Sequence, residues 1–317
     1  RNRLHRGEIT QDTANLIRTE VKTTTQKLDS LNQVLPLVNT DQATLPRGAR
    51  LLEIETPTLG KMTIRSVTLD TRIAQEKAAQ PDITPTIFIP PWSADFQSPA
   101  ALTIPLAVLS NRSVVVLSLP EHYTSQRPND WVDRLKKVKD FSLHAEMVAE
   151  AIKQLGFKKV DLAGISGGGV IALAAAERLS SGKDGILINN LDVFNTPCFK
   201  SKTRLGLVLG FTAITGLQNI KDKAAQRRTL FVQRGLGDFK GTGSVYTAWD
   251  LLTKKFFSAE SLAKIKALGR FRMFFGDEDA VTSSKTATGI INQLKQSYPD
   301  HPAQIVVVKG GNHNMVA

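Results

Sequence analysis

The sequence predicts an α/β protein built on a mostly parallel central sheet flanked by helices. Two observations carry this. From residue 86 onward, short runs rich in Val, Ile and Leu alternate with helical patterns, the order of a chain that crosses over between parallel strands. The runs are also nearly continuous in apolar residues, as expected of strands covered on both faces. With 317 residues, 41% apolar and 22% charged, the chain has an ordinary globular composition and enough length for one large core.

Between residues 10 and 35, Ile17, Val21, Leu28, Leu31 and Leu35 recur at spacings of three and four, with Thr24 in the missing place, which predicts an amphipathic helix within an N-terminal extension, 1–49. Two β-type runs follow, "ARLLEIETPTL" and "KMTIRSVTLD", and their junction near Gly60 predicts a hairpin. "TIFIPP" is the first strand of the alternating region. A helix near 99–110, the strand "SVVVLSLP" and a helix over 142–155 come next. The last has Ser142 as expected N-cap, Val148, Ala151, Ile152 and Leu155 on one face, and Gly156 as its stop. "KKVDLAGI", a helix over 168–180 and "GILINN" continue the pattern. It breaks over 196–270, then resumes with "RFRMFFG", a helix near 283–297 and "AQIVVVKGG". The expected body is therefore 50–195 with 271–317, and 196–270 is an insertion between two of its strands.

The net charge of +12 is uneven, since 196–270 holds 14 Lys/Arg against 4 Asp/Glu while 1–50 holds 8 against 5. A basic insertion on a neutral body suits an anionic counterpart such as lipid headgroups, an acidic substrate or nucleic acid, or it is simply a solvated surface. No apolar run reaches the roughly 20 residues that span a bilayer. The single cysteine, Cys198, excludes an intrachain disulfide and fits a reducing, cytoplasmic setting. "GLGDFKGTGS" lacks the order of a dinucleotide or phosphate loop, and there is no H-E-x-x-H or Cys/His cluster, so cofactor-free and metal-free chemistry is expected.

The stretch "DLAGISGGGVIALAAA" supplies the candidate chemistry. Gly164-Ile165-Ser166-Gly167-Gly168 is a G-x-S-x-G between a strand and a helix, where the turn is tight enough to strain the serine backbone and glycines remove side chains that would clash. The hydroxyl then stands at a helix N-terminus, whose free N–H groups favour negative charge. A serine nucleophile needs a base and an orienting acid. Asp277 and Asp279 lie just past the strand ending at Gly276, and His313 follows the glycines after the last strand. Residues beyond the C-terminal ends of parallel strands converge on one crevice. Of the other histidines, His122 falls on the same side and could line that crevice, as could Ser93. His144 is expected at a helix surface or boundary, and His301 at the opposite end of the sheet.

Taken in order, these segments resemble the α/β-hydrolase fold family from about residue 50 to the end. "TIFIPPWSADFQSPAAL" looks like its oxyanion strand and loop, "GISGGGVIALAAA" like its nucleophile elbow, and "FFGDEDAV" like its Gly-x-x-Asp acid turn, a spacing that selects Asp279 over Asp277. The resemblance implies a triad of Ser166, Asp279 and His313, and an oxyanion hole from the backbone of Gly167 with Trp92 or Ser93. It also implies a lid at 196–270, between the sixth strand and the acid strand. The expected activity is that of a serine carboxylic ester hydrolase on a hydrophobic acyl substrate. An anionic membrane surface is a further candidate partner through the lid, nucleic acid is disfavoured, and the oligomeric state stays open. Peptidase, thioesterase, acyltransferase and haloperoxidase chemistry, or a non-catalytic scaffold, remain alternatives on the same fold. The chain departs from the family at Pro90-Pro91, which replaces the common His-Gly and offers no N–H. "PEHYTS" lacks the usual two glycines, and only four residues follow His313, where the family generally carries another helix.

Overall fold

The computed structural model describes residues 49–55, 63–69, 84–91, 114–118, 130–138, 140–197, 257–279, 282–311 and 313. Among them one eight-stranded sheet runs in the order β1-β2-β4-β3-β5-β6-β7-β8. Strands β1 (Ala49–Glu55) and β2 (Thr63–Leu69), the two expected to form a hairpin, are neighbours at one edge. β2 pairs antiparallel with β4 (Val114–Ser118). From there β3 (Thr86–Ile89), β5 (Lys159–Ile165), β6 (Leu187–Phe194), β7 (Phe271–Gly276) and β8 (Ala303–Val308) continue in parallel pairing. Because β4 lies on one side of β3 and β5 on the other, the winding direction reverses there, and the C-terminal ends of β3 and β5 are where such a sheet places a site.

The sheet centre is apolar on both faces, with Ile87, Phe88, Ile89, Val114, Val115, Val116, Leu117 and Val160 fully buried. Coverage changes toward β8. Toward the C-terminal ends of β6 and β7, Asp192, Phe194, Arg272 and Phe274 are partly exposed, and there Asp192 accepts hydrogen bonds from Arg272 Nε at 2.8 Å and Nη2 at 3.0 Å. Arg272 also lies over the Phe274 ring, which stacks on Phe194 at 4.7 Å. The expectation of two fully covered faces thus describes the middle strands, and a charged pair with two aromatic rings occupies one face of β6 and β7.

Helix α1 (Trp131–Lys137) was not marked by any sequence signal considered above. Its buried Trp131 meets His144 edge-on with ring centroids 5.9 Å apart, and Phe141 approaches the same imidazole at 5.3 Å. His144 is therefore buried, not at the surface or boundary. The reason is spacing: it extends the Val148, Ala151, Ile152 stripe of α2 (Ser142–Gln154) by one turn. The N-cap position falls to Phe141 and not to Ser142, which is the first helical residue; Asp140 Oδ1 accepts the Ser142 amide at 2.9 Å, and a carboxylate there suits the helix dipole. The helix stops at Gly156, whose φ of +79° allows Gly156 N–H to reach Lys153 O and Phe157 N–H to reach Ile152 O, a Schellman ending.

Helix α3 (Gly167–Ser180) packs on β5, β6 and α2, with Ala172, Ala175 and Ala176 fully buried where larger side chains would hold it off the sheet. Residues 257–270, expected in the insertion, pack on the body. Ser258 caps α4 (Ala259–Ala263), Phe257, Leu262 and Ile265 join the core, and Ala267 bridges to Ile188. Helix α5 (Ser284–Ser297) is capped by Ser283 and turns Ala287, Ile291 and Leu294 inward at spacings of four and three. The expected helices at 10–35 and 99–110, and residues 198–256 of the insertion, lie outside the described residues.

Two glycines give opposite expectations for the same change. At Gly156 an alanine finds open space but must hold a positive φ, so Gly156→Ala should destabilise by about 1 kcal/mol. Gly289, exposed within α5 and also surrounded by space, should gain about 0.5–1 kcal/mol as alanine, both effects read from urea unfolding.

Candidate active site

Ser166 links β5 to α3 with φ +51° and ψ −123°, a conformation that L-residues avoid. Its surroundings impose it. A Cβ on Gly164 would stand 2.5 Å from Gly168 O, and one on Gly168 would overlap the carbonyls of Ile89 and Pro90 at the end of β3. The two flanking glycines of the motif therefore let three backbone segments touch. Gly169 fits for the same reason against Thr196. The Ser166 amide donates to Phe194 O at 2.9 Å, tying the elbow to β6, and Gly167 opens the helix, where the first amides have no carbonyl one turn back.

The base and acid arrive from the far side of the sheet. His313 Nε2 stands 3.0 Å from Ser166 Oγ, and its Nδ1 stands 3.1 and 3.0 Å from the two oxygens of Asp279. A carboxylate only accepts, so Nδ1 carries the proton and Nε2 is left to accept from the serine hydroxyl. Both His313 and Asp279 are buried, which strengthens their interaction. The three residues expected to meet are in hydrogen-bond contact across 147 positions of sequence.

Backbone pairing makes this meeting possible. Beyond β7 and β8, Asp277 N–H donates to Val308 O and Glu278 N–H to Gly311 O, zipping the acid turn to the histidine loop. Asp277, the rejected acid, accepts the Gly310 amide at 2.6 Å and so shapes that loop. Asp279 accepts from the Thr282 amide at 3.0 Å and from the Thr282 hydroxyl. Thr282 was not anticipated, although an aspartate followed three residues later by threonine is a local turn signal. Asn195 was also not anticipated: it is fully buried, its Nδ2 donates to His313 O at 2.8 Å and its Oδ1 accepts Gly276 N–H at 3.0 Å. No motif points to it, because its partners lie far along the chain, at the end of β7 and in the loop after β8.

Of the remaining expected positions, Trp92, Ser93 and His122 lie outside the described residues. Pro90, two positions before Trp92, touches the elbow at Gly168. His301 lies before β8, accepting the Ala303 amide at Nδ1, at the opposite end of the strands from Ser166.

Burial is the largest influence on Asp279 and opposes its ionisation. The His313 ring and the Thr282 hydroxyl and amide together outweigh it and hold the carboxyl below its ordinary 3.8. A depressed folded-state value contributes stability that is complete above the unfolded value and lost as pH falls through the folded one. The stability difference between wild type and Asp279→Asn should therefore be constant above the ordinary value of 3.8 and shrink at more acid pH. Urea unfolding across pH measures this, and a difference that widens with acid would contradict it.

No protein-family model matches the sequence, and no curated protein matches it. Solved structures do. A membrane phospholipase A, described as a bacterial virulence factor, is 19% identical, with 95% of this chain and 90% of that one covered and a TM-score of 0.60. A carboxylesterase of the thaumarchaeon Nitrososphaera gargenis is 15% identical over 84% and 92%, TM-score 0.53. A bromoperoxidase from Bacillus anthracis is 15% identical over 84% and 93%, TM-score 0.54. At these identities the likeness is one of architecture, and it agrees with the strand order, the elbow after β5 and the loops beyond β7 and β8. This chain has the α/β-hydrolase fold.

Proposed function

We propose that the protein is a serine hydrolase that cleaves carboxylic esters through an acyl-enzyme. The observation that carries this is the continuous relay Ser166 Oγ, His313, Asp279, with both links at 3.0–3.1 Å. In this reading His313 Nε2 takes the hydroxyl proton as Ser166 Oγ attacks the carbonyl carbon. Asp279 holds the tautomer and steadies the imidazolium. The proton passes to the leaving alkoxide, and the alcohol departs. A water molecule, deprotonated by the same nitrogen, then attacks the acyl-serine and the acid is released. The Gly167 amide, at the N-terminus of α3, is assigned to the oxyanion, with the Trp92 amide as second donor on the sequence alone.

An ester of a hydrophobic acyl group is favoured by Phe199, Leu205, Leu207, Val208, Leu209 and Phe211 in the insertion. Two of the structural neighbours are a phospholipase and a carboxylesterase. The bromoperoxidase is a reminder that the fold alone does not choose the reaction. The excess of 14 basic over 4 acidic residues in 196–270 supports docking of that segment on anionic lipid.

Hydrolysis of nitrophenyl esters of increasing acyl length tests the reading. Activity should rise with chain length beyond acetate, and Ser166→Ala should lose about 10⁴-fold or more of kcat while unfolding as cooperatively as wild type. Retention of wild-type turnover by that variant would sink the proposal. For the basic segment, vesicles containing an anionic phospholipid should bind the protein at low salt and release it as salt rises. Neutralising Lys221, Lys223, Arg227 and Arg228 together should abolish this binding, and salt-independent behaviour would remove the idea.

A further inference from the structure

Strand β6 contributes no member of the triad, yet its C-terminal end touches the serine elbow, the strand that leads into the acid turn and the histidine loop. Phe194 O accepts the Ser166 amide at 2.9 Å. The next residue, Asn195, donates its own amide to Phe274 O at 2.8 Å, accepts Gly276 N–H at Oδ1, and donates Nδ2–H to His313 O. Gly276 ends the strand that leads into the acid turn, so one side chain joins the acid-bearing strand to the main chain of the base.

The residue type follows from these contacts. Asn195 has φ +43°, a region tolerated by Gly, Asn and Asp. Glycine has no side chain to bridge the two loops. Aspartate accepts but does not donate, so it would set a carboxylate oxygen against the His313 carbonyl. Asparagine combines the backbone conformation with one acceptor and one donor. The need for an anchor is also local: shortly before His313 come Gly310, with φ +71°, and Gly311, neither of which has a side chain to pack.

From this we infer that Asn195 is a positioning residue, fixing the His313 main chain so that Nε2 meets the Ser166 hydroxyl while Nδ1 meets Asp279. The inference rests on the serine-nucleophile reading above. It goes beyond that reading by placing control of the base in a strand that carries no reacting group. Because a displacement on the order of 1 Å costs about a hundredfold in such a site, loss of the anchor should act on reactivity before it acts on folding.

The test is the second-order rate at which a fluorophosphonate probe labels Ser166, measured across pH beside thermal unfolding. Asn195→Asp keeps size, φ and the bond from Gly276 while removing the donor. Asn195→Gly removes the side chain without backbone strain. Both should label at least tenfold more slowly than wild type while still unfolding cooperatively. Ile291→Val, a core change in α5, should label at the wild-type rate and serves as the control for mere destabilisation. Labelling within twofold of wild type in both Asn195 variants would overturn the inference and leave the nucleophile reading standing. Loss of cooperative unfolding in both would assign the residue to the fold, against the inference. A wild-type serine that does not label would overturn the reading of the site and this inference with it.

Discussion

The close approach of three backbones at Gly164, Gly168 and the end of β3 is the constraint on which the site depends. It leaves no room for a Cβ at either glycine and holds Ser166 at φ +51°. A residue in such a region costs about 1–3 kcal/mol, and it persists because the surrounding contacts over-determine it. The neighbouring fold explains where this happens. The winding of the sheet reverses between β3 and β5, so the strained turn stands at the switch point of the topology.

Charge is arranged around that turn with little freedom. Asp279 keeps its proton off despite burial because donors from His313 and Thr282 face it, and the carboxylate in turn fixes which nitrogen of His313 is bare. The main chains of the acid turn and the histidine loop are paired beyond the ends of β7 and β8, and Asn195 ties both to β6. The reacting groups are therefore set by backbone pairing between strands.

Much of this was legible in the sequence, and the exceptions share a cause. The parallel strands, the elbow and the two loops past the last strands could be read because each is a local pattern: an apolar run, a G-x-S-x-G at a strand–helix junction, a strand ending in glycine. Asn195 could not, since its function lies in bonds to residues 81 and 118 positions away. His144 was misplaced because a polar residue on an apolar stripe reads as an edge until Trp131 and Phe141 are seen against it. Ser142 was read as the cap of α2 but is its first helical residue, and its own amide donates to Asp140, a bond that no local pattern announces. Residues 257–270 read as insertion since their apolar positions pair with β6 and the core across the interruption, which periodicity does not reveal.

The α/β-hydrolase fold supports several reactions, so the chemistry is decided at Ser166. The most direct measurement is mass spectrometry of the protein quenched during turnover of a nitrophenyl ester. A transient acyl group on the peptide containing Ser166, absent when His313 is replaced by alanine, is the predicted result. Folded protein that hydrolyses the ester with no adduct there, or that carries the acyl group on another residue, would contradict the account.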